Sequence, residues 1–278
     1  MVPLALPTNP APRTLLLDLD GVVWLAHDPI PGSVEAIAAA RQAGWRVLFV
    51  TNNSSARVAD QEAALAAIGV PALGDVVTSA VAAARLVNAG ETVLVCGGVG
   101  VTEAVIQRGA IVVGEPVSGE RCDVVIVGFH REFDYAGLQR AATAVRLGAR
   151  LIGTNDDATY PTAGGPIPGG GAILAAVAVA AGVSPVVAGK PHLPMVDLVR
   201  ELIRDAAGDA AVVNALMVGD RPSTDGLFAR ALGCQYAHVW SGVTAPGMPV
   251  DPAPDFIAGD LRGVIDTILA GEGTPHNG

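Results

Sequence analysis

Short runs of consecutive apolar residues alternate along the chain with longer segments in which apolar residues recur at helical spacing. Continuous runs rich in Val, Ile and Leu are typical of strands buried on both faces of a parallel sheet. Ten strands are predicted, at residues 14–18, 46–51, 92–96, 110–113, 123–127, 151–153, 185–188, 215–219, 235–239 and 256–257. Eight helices are predicted, at residues 33–43, 56–68, 79–88, 102–108, 134–147, 171–181, 195–207 and 222–232. Strands separated by helices of about 10 to 15 residues predict βαβ units, so the fold class is α/β with a mostly parallel, doubly wound sheet.

The first predicted strand ends at two carboxylates, Asp18 and Asp20, which follow three consecutive leucines. Like charges a few ångströms apart destabilise each other unless a cation or a shared proton neutralises them, and a divalent metal is the usual partner. Gly21 allows the chain to turn sharply at this strand end. A solvated acidic turn is the alternative interpretation of this stretch.

Small polar residues follow the second strand, at Thr51, Asn52, Asn53, Ser54 and Ser55. Hydroxyls, amides and backbone N–H groups at such a position bind oxyanions, above all where a helix begins immediately afterwards. A helix N-cap at Ser54 or Ser55 is the alternative explanation.

Two further strand ends carry ionisable residues. Lys190 follows the apolar run at 186–188, although an isolated lysine is more often a solvated surface residue. Asp220 leaves the strand at 215–219, and Asp225 lies about a helical turn and a half further on. A structural turn with an Asp N-cap accounts for one of these two aspartates but not for both.

All four strand ends are expected at one edge of a doubly wound sheet, where open α/β sheets bind their ligands. The edge would then hold a carboxylate cluster able to bind magnesium beside hydrogen-bond donors for phosphate. Turn formation alone does not explain why all four ends are polar in this complementary way.

The composition narrows the possible partners. The 278 residues are 51% hydrophobic, the mean hydropathy is +0.46, and the formal net charge is -10. These values predict a compact globular protein. They argue against a nucleic-acid partner, because phosphate-backbone binding needs clustered Lys and Arg.

The cysteines and apolar segments favour a cytoplasmic protein that does not enter membranes. Cys96, Cys122 and Cys234 are odd in number and far apart, which does not suit a secreted disulfide framework. The longest apolar run, residues 172–183, is too short for the roughly 20 residues of a membrane span and is expected to form a buried helix. Residues 1–13 lack the features of a signal peptide, and residues 271–278 are expected to fray.

In these motifs the chain resembles the haloacid dehalogenase (HAD) superfamily phosphatases, and specifically their class IIA branch. That branch includes 4-nitrophenylphosphatases, NagD-type nucleotide phosphatases, pyridoxal phosphate phosphatase and glycerol-3-phosphate phosphatases. The likeness covers about residues 14–269, and residues 128–135, 153–157 and 168–172 are similar to class IIA cap sequences. The chain departs from the family at His130, where an Asp or similar residue is usual, and at Gly226, where an aliphatic residue is usual.

The resemblance implies a magnesium-dependent hydrolysis of phosphomonoesters through an aspartyl-phosphate. Asp18 would be the nucleophile, and Asp20 would protonate the leaving group and then activate water. Magnesium would be held by the Asp18 carboxylate, the Asp20 backbone carbonyl and Asp220, with Asp225 acting through water or as a brace. Because haloacid dehalogenases proper lack the acid at Asp20, its presence favours phosphoryl transfer over carbon–halogen cleavage.

The resemblance also implies residues for the rest of the substrate. Thr51, Asn52 and Lys190 would bind the phosphoryl oxygens, whose charge must be stabilised during in-line displacement. Cap residues implied to face the leaving group, and so to set specificity, are Phe129, His130, Asn155, Asp157 and Tyr160. For the loop that contains the last three of these, a plain surface turn is the alternative.

Two domains are predicted. Residues 1–90 and 186–278 would form the Rossmann-like HAD catalytic core, and residues 91–185 an inserted α/β cap that closes over it. A homodimer that pairs through the caps is a further expectation from the resemblance.

Other functions are weighed against the phosphatase. The run Val93 to Gly100 resembles the glycine-rich turn of a dinucleotide-binding oxidoreductase, but Glu103 stands where a third glycine is needed. A non-catalytic binding protein on the same scaffold stays open, because a fold does not guarantee activity. Phosphomutases and phosphonatases keep similar motifs but usually carry different caps.

The expected substrate is a small phosphorylated metabolite. Aromatic residues make up only 4% of the chain, which disfavours an aromatic sandwich for a nucleobase. Glycerol phosphate or sugar phosphates are therefore preferred, and nucleoside monophosphates and pyridoxal phosphate are the alternatives.

Overall fold

A computed structural model describes residues 13–114, 121–160, 162 and 164–272. Most of the predicted N-terminal tail, residues 1–12, and residues 273–278 of the predicted frayed C-terminus lie outside these described residues. The chain forms two compact units. Of the described residues, 13–50, 62–76 and 196–272 belong to the first unit, and 51–61 and 77–195, with the same gaps, belong to the second.

The strands are β1 (Thr14–Leu17), β2 (Trp24–Leu25), β3 (Asp28–Pro29), β4 (Arg46–Thr51), β5 (Val76–Thr78), β6 (Thr92–Cys96), β7 (Ile111–Val113), β8 (Val124–Val127), β9 (Arg150–Gly153), β10 (Thr159–Tyr160), β11 (Ile167–Pro168), β12 (Val186–Val187), β13 (Leu216–Gly219), β14 (Gln235–Val239) and β15 (Phe256–Ala258). The helices are α1 (Ser33–Gln42), α2 (Val58–Ala67), α3 (Ser79–Ala84), α4 (Val99–Gln107), α5 (Tyr135–Arg146), α6 (Gly170–Ala181), α7 (Leu193–Ala207), α8 (Ala210–Val213), α9 (Leu227–Leu232) and α10 (Leu261–Glu272). A single π-helical turn covers Pro222–Gly226.

The first unit is built on a six-stranded sheet in the order β15-β14-β13-β1-β4-β5. Strands β4, β1, β13, β14 and β15 pair in parallel. The central strand β1 is buried along its whole length, as its leucine run predicts. The neighbouring positions of β13 and β1 bring the chain segments after these two strands to the same edge of the sheet.

The second unit has its own five-stranded sheet in the order β12-β9-β8-β6-β7, with every pair parallel. Helices α5 and α6 pack against each other, and their buried side chains form one apolar core with the strands. The core includes Leu94, Val125, Leu151, Leu174 and Val177. Asp134 begins α5 by accepting a 2.7 Å hydrogen bond from the Gly137 N–H.

The predicted α/β class with parallel sheets is confirmed, and each of the ten predicted strands is present to within one residue at either end. The second unit contains the described part of the segment predicted as an inserted cap. It also takes in residues 51–61, 77–90 and 186–195, while the exact domain boundaries stay a prediction. Among the described helices, none is long and apolar enough to span a membrane.

Several helices and strands were not predicted from the sequence pattern. The hairpins β2–β3 and β10–β11 have strands of two residues, too short to show alternation. Helix α10 was missed although Leu261, Val264, Ile265 and Ile268 are buried at helical spacing. The prediction that residues 172–183 form a buried helix is wrong in part. Helix α6 buries one face only, and Val179 on the other face is 83% exposed.

Candidate functional site

Three carboxylates of the first unit converge beside the central strands. Asp18 follows β1, Asp220 follows the neighbouring strand β13, and Asp225 lies in the π-helical turn after it. Oxygen atoms of the three side chains lie within 4.8 Å of one another. Asp220 and Asp225 are buried and Asp18 is half-buried. The predicted acidic cluster is therefore present, built from the ends of adjacent parallel strands.

The cluster is electrostatically unfavourable without a cation. Burial, followed by the neighbouring charges of Asp225 and Asp18, raises the pKa of Asp220 to about 7. Three oxygen donors at this separation, two of them out of water, match the ligand preference of a hard divalent cation such as Mg²⁺. The residues present thus fit the metal that the sequence implies.

A segment directly after β14 holds Asp220 in place. The Val243 N–H donates to Asp220 Oδ2 at 2.5 Å, and the Thr244 hydroxyl donates to the Asp220 carbonyl at 2.6 Å. The Ser241 hydroxyl donates to the Gly21 carbonyl at 2.7 Å, so one segment fixes both the first acidic motif and the last. Gly242 lies against the Asp220 carboxylate so closely that a Cβ atom would overlap it.

We name residues 241–244 the Asp220 cradle. Sequence reasoning missed these residues, although the signal was present. Ser241, Gly242 and Thr244 are small or polar residues just past the carboxyl end of a predicted strand, as at the four strand ends that were recognised.

Asp20 lies outside the three-carboxylate cluster and is half-buried. It stands in a tight turn in which the N–H groups of Val22, Val23 and Trp24 all donate to the Leu19 carbonyl. The Gly21 N–H donates to the Trp24 carbonyl at 2.8 Å, and Gly21 has a φ of 88°, which favours glycine. The turn fixes the backbone of Asp20, through which the resemblance implies metal binding.

The predicted phosphate-binding residues lie together in the second unit. The Asn52 side chain accepts from the Lys190 N–H at 2.8 Å and donates to the Lys190 carbonyl at 3.0 Å. Thr51 is buried, and its hydroxyl accepts from the Asn53 N–H at 3.0 Å. Lys190 is only 1% exposed, so the alternative that it is a solvated surface lysine is wrong.

The predicted cap loop joins the same set of residues. Asn52 Nδ2 donates to Asp157 Oδ2 at 3.0 Å, and Asn155 Nδ2 donates to the Asn52 carbonyl at 2.8 Å. The hydroxyls of Ser54 and Thr154 share a 2.9 Å hydrogen bond. We name Asn52, Asp157, Lys190 and Asn155, with these bonds, the Asn52 network. Asn155 is 4% exposed, so this loop is part of a packed structure and not a plain surface turn.

Neither Ser54 nor Ser55 takes the helix-capping position suggested as an alternative. Helix α2 begins only at Val58. The Ser55 N–H and hydroxyl both donate to Asn53 Oδ1, at 3.0 and 2.8 Å. These serines therefore shape the loop after β4.

Comparisons with known proteins agree with this architecture. Residues 15–110 match the haloacid dehalogenase-like hydrolases, and residues 187–264 match the HAD-hydrolase-like family. A D-glycerol 3-phosphate phosphatase of Mycobacterium tuberculosis is 39% identical over 260 residues, which are 89% of this chain and 69% of that protein. An acid sugar phosphatase of Staphylococcus saprophyticus is 34% identical over 236 residues, which are 84% of this chain and 88% of that protein.

The chain belongs to the haloacid dehalogenase-like hydrolases. Among solved structures, a glycerol phosphate phosphatase from Mycobacterium tuberculosis in complex with magnesium superposes with a TM-score of 0.79 at 35% identity. The match covers 91% of this chain and 76% of that one. The resemblance predicted from the motifs, class IIA of the HAD phosphatases, is confirmed, and this HAD hydrolase is a phosphatase of phosphoric monoesters.

The glycine-rich run after β6 has a structural explanation in this HAD phosphatase. A Cβ atom at Gly98 would lie 2.5 Å from the Ser55 carbonyl oxygen, and one at Gly100 would overlap the Ala56 carbonyl. The Gly100 N–H donates to the Ser55 carbonyl at 3.1 Å. These glycines allow close backbone packing, and the oxidoreductase alternative is wrong.

The family departure at Gly226 is also explained by packing. A Cβ atom there would lie 2.9 Å from the Tyr236 ring and 3.0 Å from Pro252. Tyr236 is fully buried in β14, and its hydroxyl shares a 2.9 Å hydrogen bond with His238 Nδ1. In this HAD phosphatase the Tyr236 ring takes the space that an aliphatic side chain at 226 would need.

The structure also shows the surroundings of Phe129, His130 and Tyr160, which are predicted to lie in the cap. The rings of Phe129 and Tyr160 stack on each other, with centroids 5.2 Å apart and planes 15° from parallel. His130 Nδ1 lies 3.1 Å from the Gly128 carbonyl, and its ring meets Phe133 edge to face. His130 and Phe133 line a small cavity of about 60 Å³.

Proposed function

We propose that this phosphatase hydrolyses small phosphorylated metabolites, with glycerol phosphate or sugar phosphates as substrates and Mg²⁺ as the cofactor. The observation that carries the proposal is the convergence of Asp18, Asp220 and Asp225, a set of oxygen donors suited to a divalent cation. The related proteins described above act on glycerol phosphate and sugar phosphates, and one was solved with magnesium.

Asp18 would act as the nucleophile. The Leu19 N–H donates to Asp18 Oδ1 at 2.9 Å, which restrains the carboxylate. A carboxylate oxygen of Asp18 would form a bond to phosphorus while the bond from phosphorus to the alcohol oxygen breaks. The product of this step is an aspartyl-phosphate and a departing alkoxide.

Asp20 would move the protons. It would give its proton to the alkoxide and then take one from the water that attacks the aspartyl-phosphate, which regenerates Asp18 and releases phosphate. The tight turn from Leu19 to Trp24 sets the position of the Asp20 backbone.

Asp18, the Asp20 carbonyl, Asp220 and Asp225 would hold the metal. When bound, Mg²⁺ supplies positive charge that offsets the carboxylates and stabilises the negative charge of the transferring phosphoryl group. Thr51 and Lys190 would bind the phosphoryl oxygens, and Asn52 would belong to the same site. The 2.5 Å hydrogen bond from the Val243 N–H supports a role of the Asp220 cradle in keeping the Asp220 carboxylate oriented towards the metal.

The preference for small polar leaving groups rests on the aromatic residues. Phe129 and Tyr160 already stack on each other, so each ring has one face covered by the other ring. A nucleobase or pyridoxal ring would have to compete with this pair for a stacking position. The Tyr160 hydroxyl can instead hydrogen-bond a polyol.

The experiment that tests this function measures phosphate release under one set of conditions from glycerol 3-phosphate, sugar phosphates, nucleoside monophosphates and pyridoxal 5′-phosphate. We expect the highest kcat/KM for glycerol 3-phosphate or a sugar phosphate. A higher kcat/KM for AMP or pyridoxal phosphate would favour the alternative substrate class.

We also propose a homodimer that pairs through the second unit, in a reducing cytoplasm. A groove of about 490 Å³ beside the edge strand β12 is lined by Leu86, Val145, Val183 and Val186, and Val186 is 53% exposed. All three cysteines are free and buried, which suits a reducing compartment. Light scattering on the wild type and on Val186→Glu tests the dimer, because the charge should yield monomers.

A further inference from the structure

The side-chain amide of Asn52 is fully occupied as a donor. Its two N–H groups donate to Asp157 Oδ2 and to the Lys190 carbonyl, each at 3.0 Å. Its oxygen accepts from the Lys190 N–H at 2.8 Å. A carboxamide has only two N–H donors, so no further donor is left for a substrate oxygen.

The orientation of this amide is fixed by its partners. A backbone N–H of Lys190 must face an acceptor, and a carboxylate and a carbonyl must both face donors, so only one of the two amide orientations satisfies all three bonds. The Asn52 side chain therefore clamps both polar groups of the Lys190 backbone.

Packing keeps the amide in place. A Cβ atom at Gly189 would lie 2.5 Å from Asn52 Oδ1, so glycine is required next to Lys190. The Asn52 carbonyl is held as well, by the Ser79 hydroxyl at 2.7 Å and by Asn155 Nδ2 at 2.8 Å. These contacts give Asn52 little freedom to turn its side chain towards a ligand.

We propose that Asn52 and Asp157 are a positioning pair for Lys190, and that the Asn52 side chain does not itself contact the phosphoryl group. Asp157 orients the amide, and the amide orients the Lys190 backbone, from which the buried lysine side chain extends. This inference rests on the proposed role of Lys190 in binding phosphoryl oxygens. Asp157, which the resemblance implies to be a specificity residue, would then govern affinity for phosphate itself.

The two roles of Asp157 make opposite predictions for inorganic phosphate, which has no leaving group. A residue that touches only the leaving group cannot change phosphate affinity. A residue that positions Lys190 must change it. Inorganic phosphate, titrated into the magnesium-loaded full-length protein by calorimetry, is therefore the probe.

We expect Asp157→Ala to raise the Kd for phosphate about ten-fold, as expected for loss of one charge-assisted hydrogen bond. Asp157→Asn can still accept from Asn52 through its amide oxygen and should recover part of this loss. Asn52→Ala combined with Asp157→Ala should bind phosphate no more weakly than the weaker single variant, because both changes break one chain of bonds.

Asp123→Ala is the matched control. Asp123 is also a carboxylate of the second unit, and it accepts from the Thr92 N–H and hydroxyl at 2.8 and 2.7 Å. The Asp123→Ala variant should lose comparable hydrogen bonds and leave the Kd for phosphate unchanged. If Asn52→Ala does not fold, the two Asp157 variants carry the test alone.

A phosphate Kd for Asp157→Ala within two-fold of wild type would overturn the inference, whatever happens to KM for glycerol 3-phosphate. Additive losses in the double variant would also overturn it. These outcomes leave the proposed function intact. Wild-type protein that binds no phosphate would instead overturn the proposed function, and the inference with it.

Discussion

The acidic cluster of the first unit and the Asn52 network of the second are polar sites built in opposite ways. The cluster brings three like charges within 4.8 Å, and burial raises the pKa of Asp220. The network pairs donors with acceptors, and the Asn52 amide has a protein partner for each N–H group. The first arrangement needs a bound cation or a proton to be stable, whereas the second is stable by itself.

This difference teaches what each site can do. A site with an excess of negative charge recruits a cation and can supply a nucleophilic carboxylate. A side-chain amide whose hydrogen bonds are already made, such as that of Asn52, cannot bind a ligand, but it can hold a neighbouring group in a fixed direction. Substitutions in the cluster should therefore affect the rate of hydrolysis and metal binding. Substitutions near the network should affect the affinity for phosphate.

The largest effect is expected for Asp18→Asn. The amide has nearly the same shape but cannot attack phosphorus, so kcat should fall at least about 10³-fold with the fold unchanged. Stopped-flow turnover and a thermal melt measure the two quantities. A variant that keeps more than a few per cent of wild-type kcat would exclude Asp18 as the nucleophile.

Asp20→Asn should separate two kinds of substrate. An alkyl phosphate needs a proton on its leaving group, while p-nitrophenyl phosphate does not, so the alkyl substrate should lose about 10²-fold more. Single-turnover rates are needed, because slow hydrolysis of the aspartyl-phosphate hides the contrast in steady state. Equal losses on both substrates would remove Asp20 from the role of general acid.

Gly242→Ala tests whether the cradle serves the cluster. The added methyl group would overlap the Asp220 carboxylate and turn it, so Mg²⁺ affinity by calorimetry should fall about 10- to 100-fold. Gly259→Ala is the matched control, since a Cβ atom there meets nothing within 4 Å. Equal Mg²⁺ affinity in both variants would show that the cradle does not position Asp220.

Tyr160→Ala and His130→Ala probe the leaving-group side. Each should raise KM for the best natural substrate several-fold and barely alter inhibition by inorganic phosphate, which has no leaving group. Loss of the stacking contact with Phe129 should also lower the free energy of unfolding of Tyr160→Ala by about 1 kcal/mol. An unchanged substrate profile in both variants would contradict the specificity assignment.

The smallest effect is expected for Asp156, which lies between Asn155 and Asp157 in the chain, and it concerns stability. A hydrogen bond from His192 lowers the pKa of Asp156. The folded pKa lies below the unfolded value of about 3.9, so the stabilisation is present above that pH and is lost as pH falls below it. Asp156→Asn should lower the free energy of unfolding by less than about 1 kcal/mol at pH 7.

Urea titrations of wild type and Asp156→Asn at pH 7 and below pH 4 measure this difference. It should shrink towards zero at the lower pH. A difference that grew as the pH fell would contradict the assigned partner.

The sequence predicted the cluster better than the network for a physical reason. Asp18 and Asp220 follow apolar runs, and the order of parallel strands alone brings such ends together. The bond between Asn52 and Asp157 joins residues 105 positions apart, and no periodicity encodes a side-chain contact of that kind. The Asp220 cradle was predictable only in part. The sequence shows its position after β14, but it does not show its contact with Asp220.

The packing of single residues was also beyond the sequence pattern. Gly226 stood out as unusual for the family, but only the position of the Tyr236 ring explains it. Val179 looked like part of a buried apolar run, and its exposure depends on which face of α6 meets the sheet. Such features follow from packing in three dimensions.

The central claim is that the acidic cluster makes this phosphatase dependent on a divalent metal. Phosphate release from p-nitrophenyl phosphate, measured in EDTA-treated protein during titration with Mg²⁺, tests it most directly. We predict no turnover without metal and saturable recovery with Mg²⁺, with a strongly weakened Mg²⁺ response in Asp220→Asn. Full turnover in EDTA, or an Asp220→Asn variant with the wild-type Mg²⁺ response, would contradict the account.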